Sequence, residues 1–439
     1  MTSYNNAPLR PFHLRVAVAS TGGVFSDGFG LGIIGIALAL ATQGLGLTPL
    51  WLGLLGGASL AGLFAGALLT GPVADRYGRR PIFCCNMLIL GVLSALQFFV
   101  TSGWQLLVLR LAIGFMLGTD YVVSKALLVE FTPQKYRGRV LSILSVAWAG
   151  GYACAYFIGF ALTTSGPDAW RWILLTSALP CLLVLPLRIT MPETPLWLVD
   201  HGFAARAAQV VRRALGTDIA APEPTPIAIL PDGRWRQLFS ALWRRRTLVG
   251  CAFFTCQVIP YFAIGTFVAQ LMTALNLQGG RLGGLVYNFS LLIGAALGIV
   301  VVDQTSRRGF LVGSFTIAAV ALLVLSAGPP VGPVIMMVLF AVFAGVLSAA
   351  SNLVYVYLPE LFPTDLRASG IGMAIAASRI GSAVSTFLLP LVVAQYGVRF
   401  ALGACVIVLV IGAVICQVWA PETKHLRLGV PEVTRSGSI

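Results

Sequence analysis

Residues 311–328 read LVGSFTIAAVALLVLSAG and residues 400–420 read FALGACVIVLVIGAVICQVWA, and neither stretch holds a charged side chain. Segments so apolar and so long are excluded from water, and about 20 such residues in helical form cross the hydrocarbon of a bilayer. The apolar runs and the polar breaks between them give twelve candidate spans, near 15–42, 50–73, 82–101, 104–130, 140–163, 171–190, 247–274, 282–302, 310–328, 333–358, 369–395 and 399–420. Backbone amides find no water in hydrocarbon, so each span is expected to be a helix. Only 10% of the residues are charged, against about 25% in a soluble domain. The expected class is an all-α polytopic membrane protein. The first apolar run is not a short hydrophobic region followed by a cleavage site, so it is expected to remain as a span.

The formal net charge of +14 raises the question of nucleic acid, but the placement of the charge answers it. Arg76, Arg79, Arg80, Lys135, Arg137, Arg139, Arg307, Arg308 and Arg367 fall in alternate connections, as does the basic stretch 191–246. The other connections are short and nearly uncharged, with Asp168 and Arg281 as the main exceptions. The positive-inside rule then puts both termini and the long middle loop in the cytoplasm, at a bacterial inner membrane or other plasma membrane. The arginines are expected to face anionic lipid headgroups and no nucleic acid. The eight cysteines form no C-x-x-C pair and the three histidines lie outside the spans. No metal site or cofactor is expected, and any proton carrier inside the membrane must be a carboxylate.

The chain is written twice. DRYGRR at Asp75–Arg80 returns as DQTSRR at Asp303–Arg308, a shift of 228 residues. EFTPQKYRG at Glu130–Gly138 returns as ELFPTDLRA at Glu360–Ala368, and PET at Pro192–Thr194 returns at Pro421–Thr423, shifts of 230 and 229. Three signatures in one order at nearly one spacing define two six-span repeats, 1–190 and 247–439, joined by a loop at 191–246.

These residues carry a resemblance to the major facilitator superfamily. GPVADRYGRR at Gly71–Arg80 matches the family's loop between the second and third helices, G-x-x-x-D-R-x-G-R-R. PETPLWL after the sixth span, PETK after the twelfth, and E-x-x-P-x-x-x-R-G after the fourth are similar to the sugar-porter branch. The resemblance implies two pseudo-symmetric six-helix bundles around a site at the membrane midplane, alternating access, and a monomer. It also implies a cytoplasmic latch built from Gly71, Asp75, Arg76, Gly78, Arg79, Arg80, Glu130 and Arg137, with Asp303, Arg307, Arg308, Glu360 and Arg367 as its second copy. Asp75 is suited to pairing with arginines, and Gly71 and Gly78 to close approach and a tight turn. The arginines also serve topology. In the loop, HGFAARAAQVVRRALG reads as an amphipathic helix with Phe203, Ala207, Val210 and Val211 apolar. APEPTPIAILP reads as a linker, and WRQLFSALWRRR as a surface segment with Trp235, Leu238, Phe239 and Leu242 inward.

A charge at mid-span is unfavourable by about 2.5–3.5 kcal/mol on insertion scales, so each needs a reason. Asp27, in FSDGFGLG, sits between glycines that admit a neighbouring helix. Burial favours its protonated form, which suits proton coupling, and related proton symporters carry an aspartate there; the alternative is a static pair with Arg110. The resemblance places Arg110 beside Asp27, holding it charged in one state. Asp120 is a second proton site or a binder of cationic groups. Lys125 either snorkels to a loop carboxylate or meets substrate. Arg379, at the centre of the eleventh span with Ser382 and Thr386 on its face, offers a planar fork for a carboxylate or packs against backbone carbonyls. Ser348, Ser351, Asn352 and Tyr355 share a helical face, as do Trp148, Tyr152 and Tyr156, and Gln257 with Tyr261. The substrate-binding set is therefore Arg379, Asn352, Tyr355, Gln257, Tyr261, Trp148, Tyr152 and Lys125.

Sugar porters resembling this chain carry paired glutamines in helix seven, whereas FFTCQVIPYF supplies Gln257 alone. The expectation is a secondary transporter importing a small organic acid, aromatic in one version, together with protons. Sugar or polyol symport and drug efflux are the alternatives, with a transporter-like nutrient sensor as a different class. No Ser/His or Cys/His pair lies in the spans to support an enzyme.

Overall fold

The structure is a computed structural model that describes residues 4, 7–223, 234–275, 280–327, 332–362 and 364–423. All twelve expected spans are helices: Pro11–Thr42, Pro49–Tyr77, Arg79–Phe99, Gly103–Phe131, Val140–Leu162, Ala169–Ile189, Arg244–Thr266, Leu282–Gln304, Arg307–Ala327, Pro333–Ala350, Ser369–Tyr396 and Val398–Trp419. They are called spans one to twelve in that order. Proline stands in the first turn of spans one, two and ten, where its missing N–H has no helical partner to lose. Thr48 and Ser102 accept from the backbone N–H groups of Trp51 and Gln105, each at 3.4 Å, and so cap spans two and four.

Three spans are broken. Span six divides into Ala169–Leu175 and Ala178–Ile189. Span seven resumes after Phe267 as Val268–Ala274, and span ten resumes after Ser351 as Leu353–Leu361. The last two breaks explain why the apolar runs 247–274 and 333–358 exceed the single helices found.

Helix pairing repeats in the two halves. Spans one and five, two and four, and three and six pack together; so do seven and eleven, eight and ten, and nine and twelve. The halves meet along spans two with eleven and five with eight, again a symmetric pair. The protein is thus a twelve-helix major facilitator fold of two pseudo-symmetric bundles. Lipid-facing positions carry large apolar side chains such as Leu68, Leu183, Val334 and Ile407, all exposed. Lipid tails are as apolar as leucine, so close backbone approach has to hold helices together. Spans two and four supply it: β-carbons at Gly62 and Gly66 would overlap the carbonyl oxygens of Leu111 and Phe115.

At the end opposite the arginine clusters the halves are in contact. Gly53 lies under the Phe387 carbonyl and Gly56 under the Phe267 ring, and Gln270 Nε2 donates to the Gly35 carbonyl at 3.3 Å. At the arginine end, the ion pairs Arg79–Glu130 and Arg307–Glu360 each lie within one half.

The middle loop forms the short helices Pro195–Asp200 and Ala204–Ala214. Ala207 and Val211 are buried as the amphipathic pattern predicts, whereas Phe203 is exposed. Tyr4 and Ala7 pack on Val211, Leu215 and Ile219, and Arg10 pairs with Asp218 at 2.7 Å. In the surface segment, Leu238 is buried but Phe239 and Leu242 are exposed. The Trp235 side chain and linker positions 224–231 lie outside the described residues.

The glycine contacts set an expectation. Gly66→Ala, which forces a methyl group into the Phe115 carbonyl, is expected to destabilise the protein by about 1–3 kcal/mol, as overpacking does. Gly71→Ala, where nothing lies within 4 Å, is expected to cause no loss. Thermal unfolding of the detergent-solubilised variants checks both.

Candidate functional site

Between the halves, at mid-span, lies a pocket lined by Tyr121, Ser145, Trp148, Gln257, Tyr261 and Ser351, with Tyr355, Arg379 and the rings of Phe254 and Phe262 completing it. Five of the eight residues expected to bind substrate are in this lining. Trp148 lies 6.0 Å from the Tyr261 ring and 5.8 Å from the Phe262 ring, which gives one wall of aromatic faces. Gln257 Nε2 donates to the Leu347 carbonyl at 3.0 Å and the Ser351 hydroxyl at 3.1 Å, in the last turn before the break in span ten. A larger concavity of about 1070 Å³ between spans eight, nine and ten is walled by exposed apolar side chains such as Leu297 and Val338 and faces lipid.

Two cations reach the pocket, one from each half. The Lys125 ammonium stands 3.3 Å from the centre of the Tyr121 ring and 4.8 Å from that of Tyr355. The Arg379 guanidinium lies 5.4 Å from the same Tyr121 ring, 5.8 Å from Phe262 and 6.0 Å from Phe254. Neither forms an ion pair among the described residues. Ring faces attract a cation by about 0.5–2 kcal/mol, and the Tyr121 hydroxyl is a hydrogen-bond partner to both cations, but neither interaction supplies a counter-charge. Lys125 therefore does not pair with a loop carboxylate. Tyr121, shared by both cations, was not among the expected residues; it stands beside Asp120 in the sequence and carries no intramembrane charge of its own to mark it.

Two expected pocket residues are elsewhere. Asn352 Nδ2 donates to the Ala295 carbonyl at 3.0 Å and Ser348 Oγ to the Leu291 carbonyl at 2.7 Å, so both tie span ten to span eight. Only Ser351 and Tyr355 of that polar face meet the pocket. Tyr152 stacks behind Trp148, with ring centres 5.3 Å apart, and its hydroxyl abuts Gly265.

Asp27 is buried, 3% exposed, and neither of its carboxylate oxygens has a hydrogen-bond partner among the described residues. Gly28 lets the Trp148 carbonyl of span five come against span one at this level. The expected pair with Arg110 is not formed. Arg110 is wholly buried and donates through Nη2 to the Gly30 carbonyl at 3.1 Å, while Nε and Nη1 have no partner among the described residues.

The partner of Asp120 is Arg188, a residue of span six outside the expected set. Both side chains have no solvent exposure. The guanidinium binds the carboxylate through both Nη1 and Nη2, the second at 3.0 Å. Its remaining donors reach Ser124 Oγ at 3.1 Å and the carbonyls of Phe83 and Ala19 at 3.3 Å. Asp120 also accepts from Ser124 at 2.8 Å and Asn86 at 3.3 Å. Every donor of the guanidinium is thus engaged, and spans one, three, four and six are joined at one point. Asp120 is a buried anchor rather than an open carboxylate. With Arg188 counted, four cations (Arg110, Lys125, Arg188 and Arg379) stand against Asp27 and Asp120 within the spans.

At the arginine end, the repeated motifs fold into repeated geometry. Glu193, the glutamate of the first PET, accepts from the backbone N–H groups of Arg79 and Arg80 at 3.1 Å each. Glu422 of the second PET does the same for Arg307 at 3.0 Å and Arg308 at 3.1 Å. Each carboxylate caps the start of a span, where the unpaired N–H groups favour negative charge. Gly78, at φ +95°, makes room for Glu193, which a β-carbon there would overlap. Gly71 approaches nothing, so no close contact requires it. Arg79 joins Glu130 at 3.0 Å and Asp75 at 3.4 Å, and Arg307 joins Glu360 at 3.4 Å. Asp75 is 75% exposed at its side chain, and Asp303 is exposed with no ion pair among the described residues. The aspartate contact of the first loop therefore has no copy in the second. Arg76 lies over its neighbour Tyr77, Arg137 donates to the Thr132 carbonyl at 2.9 Å, and Arg308 reaches the Gln417 carbonyl. Arg367 Nε is buried without a hydrogen-bond partner among the described residues.

The saturated pair yields a stability expectation. Arg188→Leu leaves Asp120 buried and unpaired, and is expected to lower stability by about 3–5 kcal/mol. The double variant Arg188→Leu/Asp120→Leu is expected to recover much of that loss, read as the unfolding midpoint of the purified protein.

Comparison with known proteins agrees with this architecture. Residues 16–432 match the model of the family described as "Sugar (and other) transporter". The chain is 40% identical over 424 residues to the inner membrane metabolite transport protein YgcS of Escherichia coli (strain K12), covering 97% of this chain and 95% of the relative. It is 23% identical over 402 residues to the benzoate transport protein of Acinetobacter baylyi, covering 88% and 84%. The fold superposes on the inward open xylose transporter XylE from E. coli with a TM-score of 0.78 at 18% identity, over 94% of this chain and 97% of that one. The protein is a multi-pass membrane transporter, not an enzyme, and the chain belongs to the sugar transporter family of the major facilitator superfamily.

Proposed function

We propose that the protein imports a small organic acid, one bearing an aromatic ring, together with protons, by alternating access. The observation that carries this is the pair of cations Lys125 and Arg379, which share the Tyr121 ring from opposite halves and have no acidic partner among the described residues. In a site of low dielectric, an unpaired cation is compensated most directly by an anion. A carboxylate suits the arginine fork, and the faces of Trp148, Tyr261 and Phe262 suit a ring. Because the two cations come from different halves, an anion between them would draw the bundles together. A hexose, with many hydroxyls to satisfy, would find few side-chain amides: Gln257 is the only one in the pocket lining. The name of the benzoate relative points the same way.

Asp27 is the proposed proton carrier, buried, without a hydrogen-bond partner, and one helix away from the aromatic wall. Arg110, Asp120 and Arg188 shape the field around it. The arginine-rich end is proposed to be cytoplasmic, with both termini on that side of a bacterial inner membrane and the opposite end closed. The motif loops at Asp75 and Asp303 would then latch the cytoplasmic side when the carrier opens outward. The repeats 1–190 and 247–439 are the two rocking units, acting as a monomer. The pocket as it stands, about 80 Å³, is far below the roughly 300–1,000 Å³ of sites that enclose drug-sized ligands, so loading requires its walls to part.

Uptake into proteoliposomes tests this. Radiolabelled benzoate is expected to accumulate under an inward proton gradient. Arg379→Ala is expected to reduce uptake by about 10–100-fold, the loss of one or two tenfold steps at about 1.4 kcal/mol each. Asp27→Asn is expected to abolish accumulation driven by the gradient. Xylose accumulation that ignores Arg379→Ala would contradict the proposal.

A further inference from the structure

The Arg188–Asp120 pair has a geometry that a static brace does not need. Gly23 of span one lies directly under the guanidinium: a β-carbon there would overlap Nη2 and stand 2.7 Å from Asp120 Oδ2. Asp27 follows Gly23 by four residues, so the two share one face of the helix about 5–6 Å apart at the β-carbon. Helical side chains lean back over the turn that precedes them. That lean would carry the Asp27 carboxylate toward the turn occupied by Arg188, and the missing β-carbon at Gly23 leaves the place that Nη2 fills. The groups whose charge acts on Asp27 are Asp120 and Lys125 of span four and Arg188 of span six, with Cys181 of span six also near. From span five, Tyr152 contacts the adjoining turn at Gly28. Lys125 is committed to the Tyr121 ring on the pocket side, which leaves Arg188 as the cation on the Gly23 side.

Resting on Asp27 as the proton carrier, we propose that Arg188 is a positioning residue shared by two carboxylates. It stays on Asp120 while Asp27 is protonated, and its Nη2 turns from the Ser124 hydroxyl to Asp27 once the proton has left. The contacts in the structure are those the first arrangement requires, with all guanidinium donors engaged elsewhere and Asp27 without a hydrogen-bond partner among the described residues. The Ser124 contact is the one to exchange, because it holds the Nη2 that faces Gly23 and is a bond to a neutral oxygen. The exchange couples release of the proton to a pull between spans one and six, both in the first half.

The sign of the effect follows from which form of Asp27 the cation favours. An opposite charge stabilises the carboxylate and lowers its affinity for the proton. Ser124→Ala removes the competing acceptor at Nη2, so Asp27 should release its proton at lower pH. Asp120→Asn removes the competing charge and should lower proton affinity by about tenfold to a thousandfold, the range produced by one close opposite charge. Loss of the Asp120 charge also lowers the proton affinity of Asp27 directly, so Ser124→Ala is the deciding variant: a pair that served only to brace the helices would leave the Asp27 titration in place there.

The test is an infrared titration of the protonated-carboxyl stretch, on the purified carrier in lipid bilayers and without substrate. The difference from Asp27→Asn isolates the Asp27 band. The expected result is a midpoint displaced to lower pH in Ser124→Ala and further in Asp120→Asn. An Asp27 band that titrates at one midpoint in wild type and Ser124→Ala would overturn the shared-cation proposal alone, and this variant is mild enough to decide the matter should Asp120→Asn not insert. A displacement produced by Lys125→Gln but not by Ser124→Ala would assign the role to Lys125 and overturn it equally. Absence of any titrating Asp27 band would remove the proton-carrier reading itself, and the inference with it.

Discussion

A charge in hydrocarbon must be paired, hydrated or used, and the intramembrane charges of this protein divide along that line. Insertion scales place a charge at mid-span at about 2.5–3.5 kcal/mol, so six charged side chains within the spans, even with Arg188 near an end, are a large concession in a fold held together mainly by close packing. Asp120 and Arg188 are paired, with every guanidinium donor engaged. Arg110 is held by a carbonyl alone. Lys125 and Arg379 rest on aromatic rings and Asp27 on nothing polar. Lys125 and Arg379 reach the pocket between the halves, and on the proposed reading an anion would supply the partner of these two cations and a proton that of Asp27.

The rest of the fold serves to hold those groups at that depth. Glycines bring spans two and four backbone to backbone, and others bring the halves together at the end opposite the arginine clusters. At the other end, Glu193 and Glu422 each cap the helix that begins with the arginine pair of their own half. That arrangement connects motifs more than one hundred residues apart in the chain, such as Arg79 and Glu193, and ties the loop after spans six and twelve to the starts of spans three and nine. The loops are less symmetric than the caps. Arg79 binds both Asp75 and Glu130, whereas Arg307 binds Glu360 and leaves Asp303 exposed.

Much of this was legible in the sequence because hydrophobic length and internal repetition are properties of one dimension. The spans followed from apolar runs, and the paired bundles from three motifs returning at 228–230 residues. Arg379, Trp148, Gln257, Tyr261 and Tyr355 were found because a charge or a polar stripe in an apolar helix stands out. Arg188 escaped for the opposite reason: it lies near the basic end of its span, where an arginine reads as a topology signal, although it is wholly buried. Asn352 shows the limit of periodicity, which says that four polar residues share a face but not which neighbour each meets: Ser348 and Asn352, one turn apart, both bond to span eight. The Asp27–Arg110 pair came from resemblance to relatives, and this conformation does not contain it. The caps made by Glu193 and Glu422 were signalled by the repeated PET, whose chemistry needed the third dimension to be read.

The central claim is that the pocket selects a negative charge, and ligand-induced stabilisation of the wild-type protein measures it without assuming any direction of transport or coupling. A ligand raises the unfolding temperature according to its affinity for the folded state. Benzoate, benzamide and benzyl alcohol present the same ring with and without the charge, and xylose presents hydroxyls alone. The account predicts stabilisation by benzoate and little or none by its neutral counterparts at equal concentration. Equal stabilisation by the amide and the acid, or a larger effect from xylose, would contradict it.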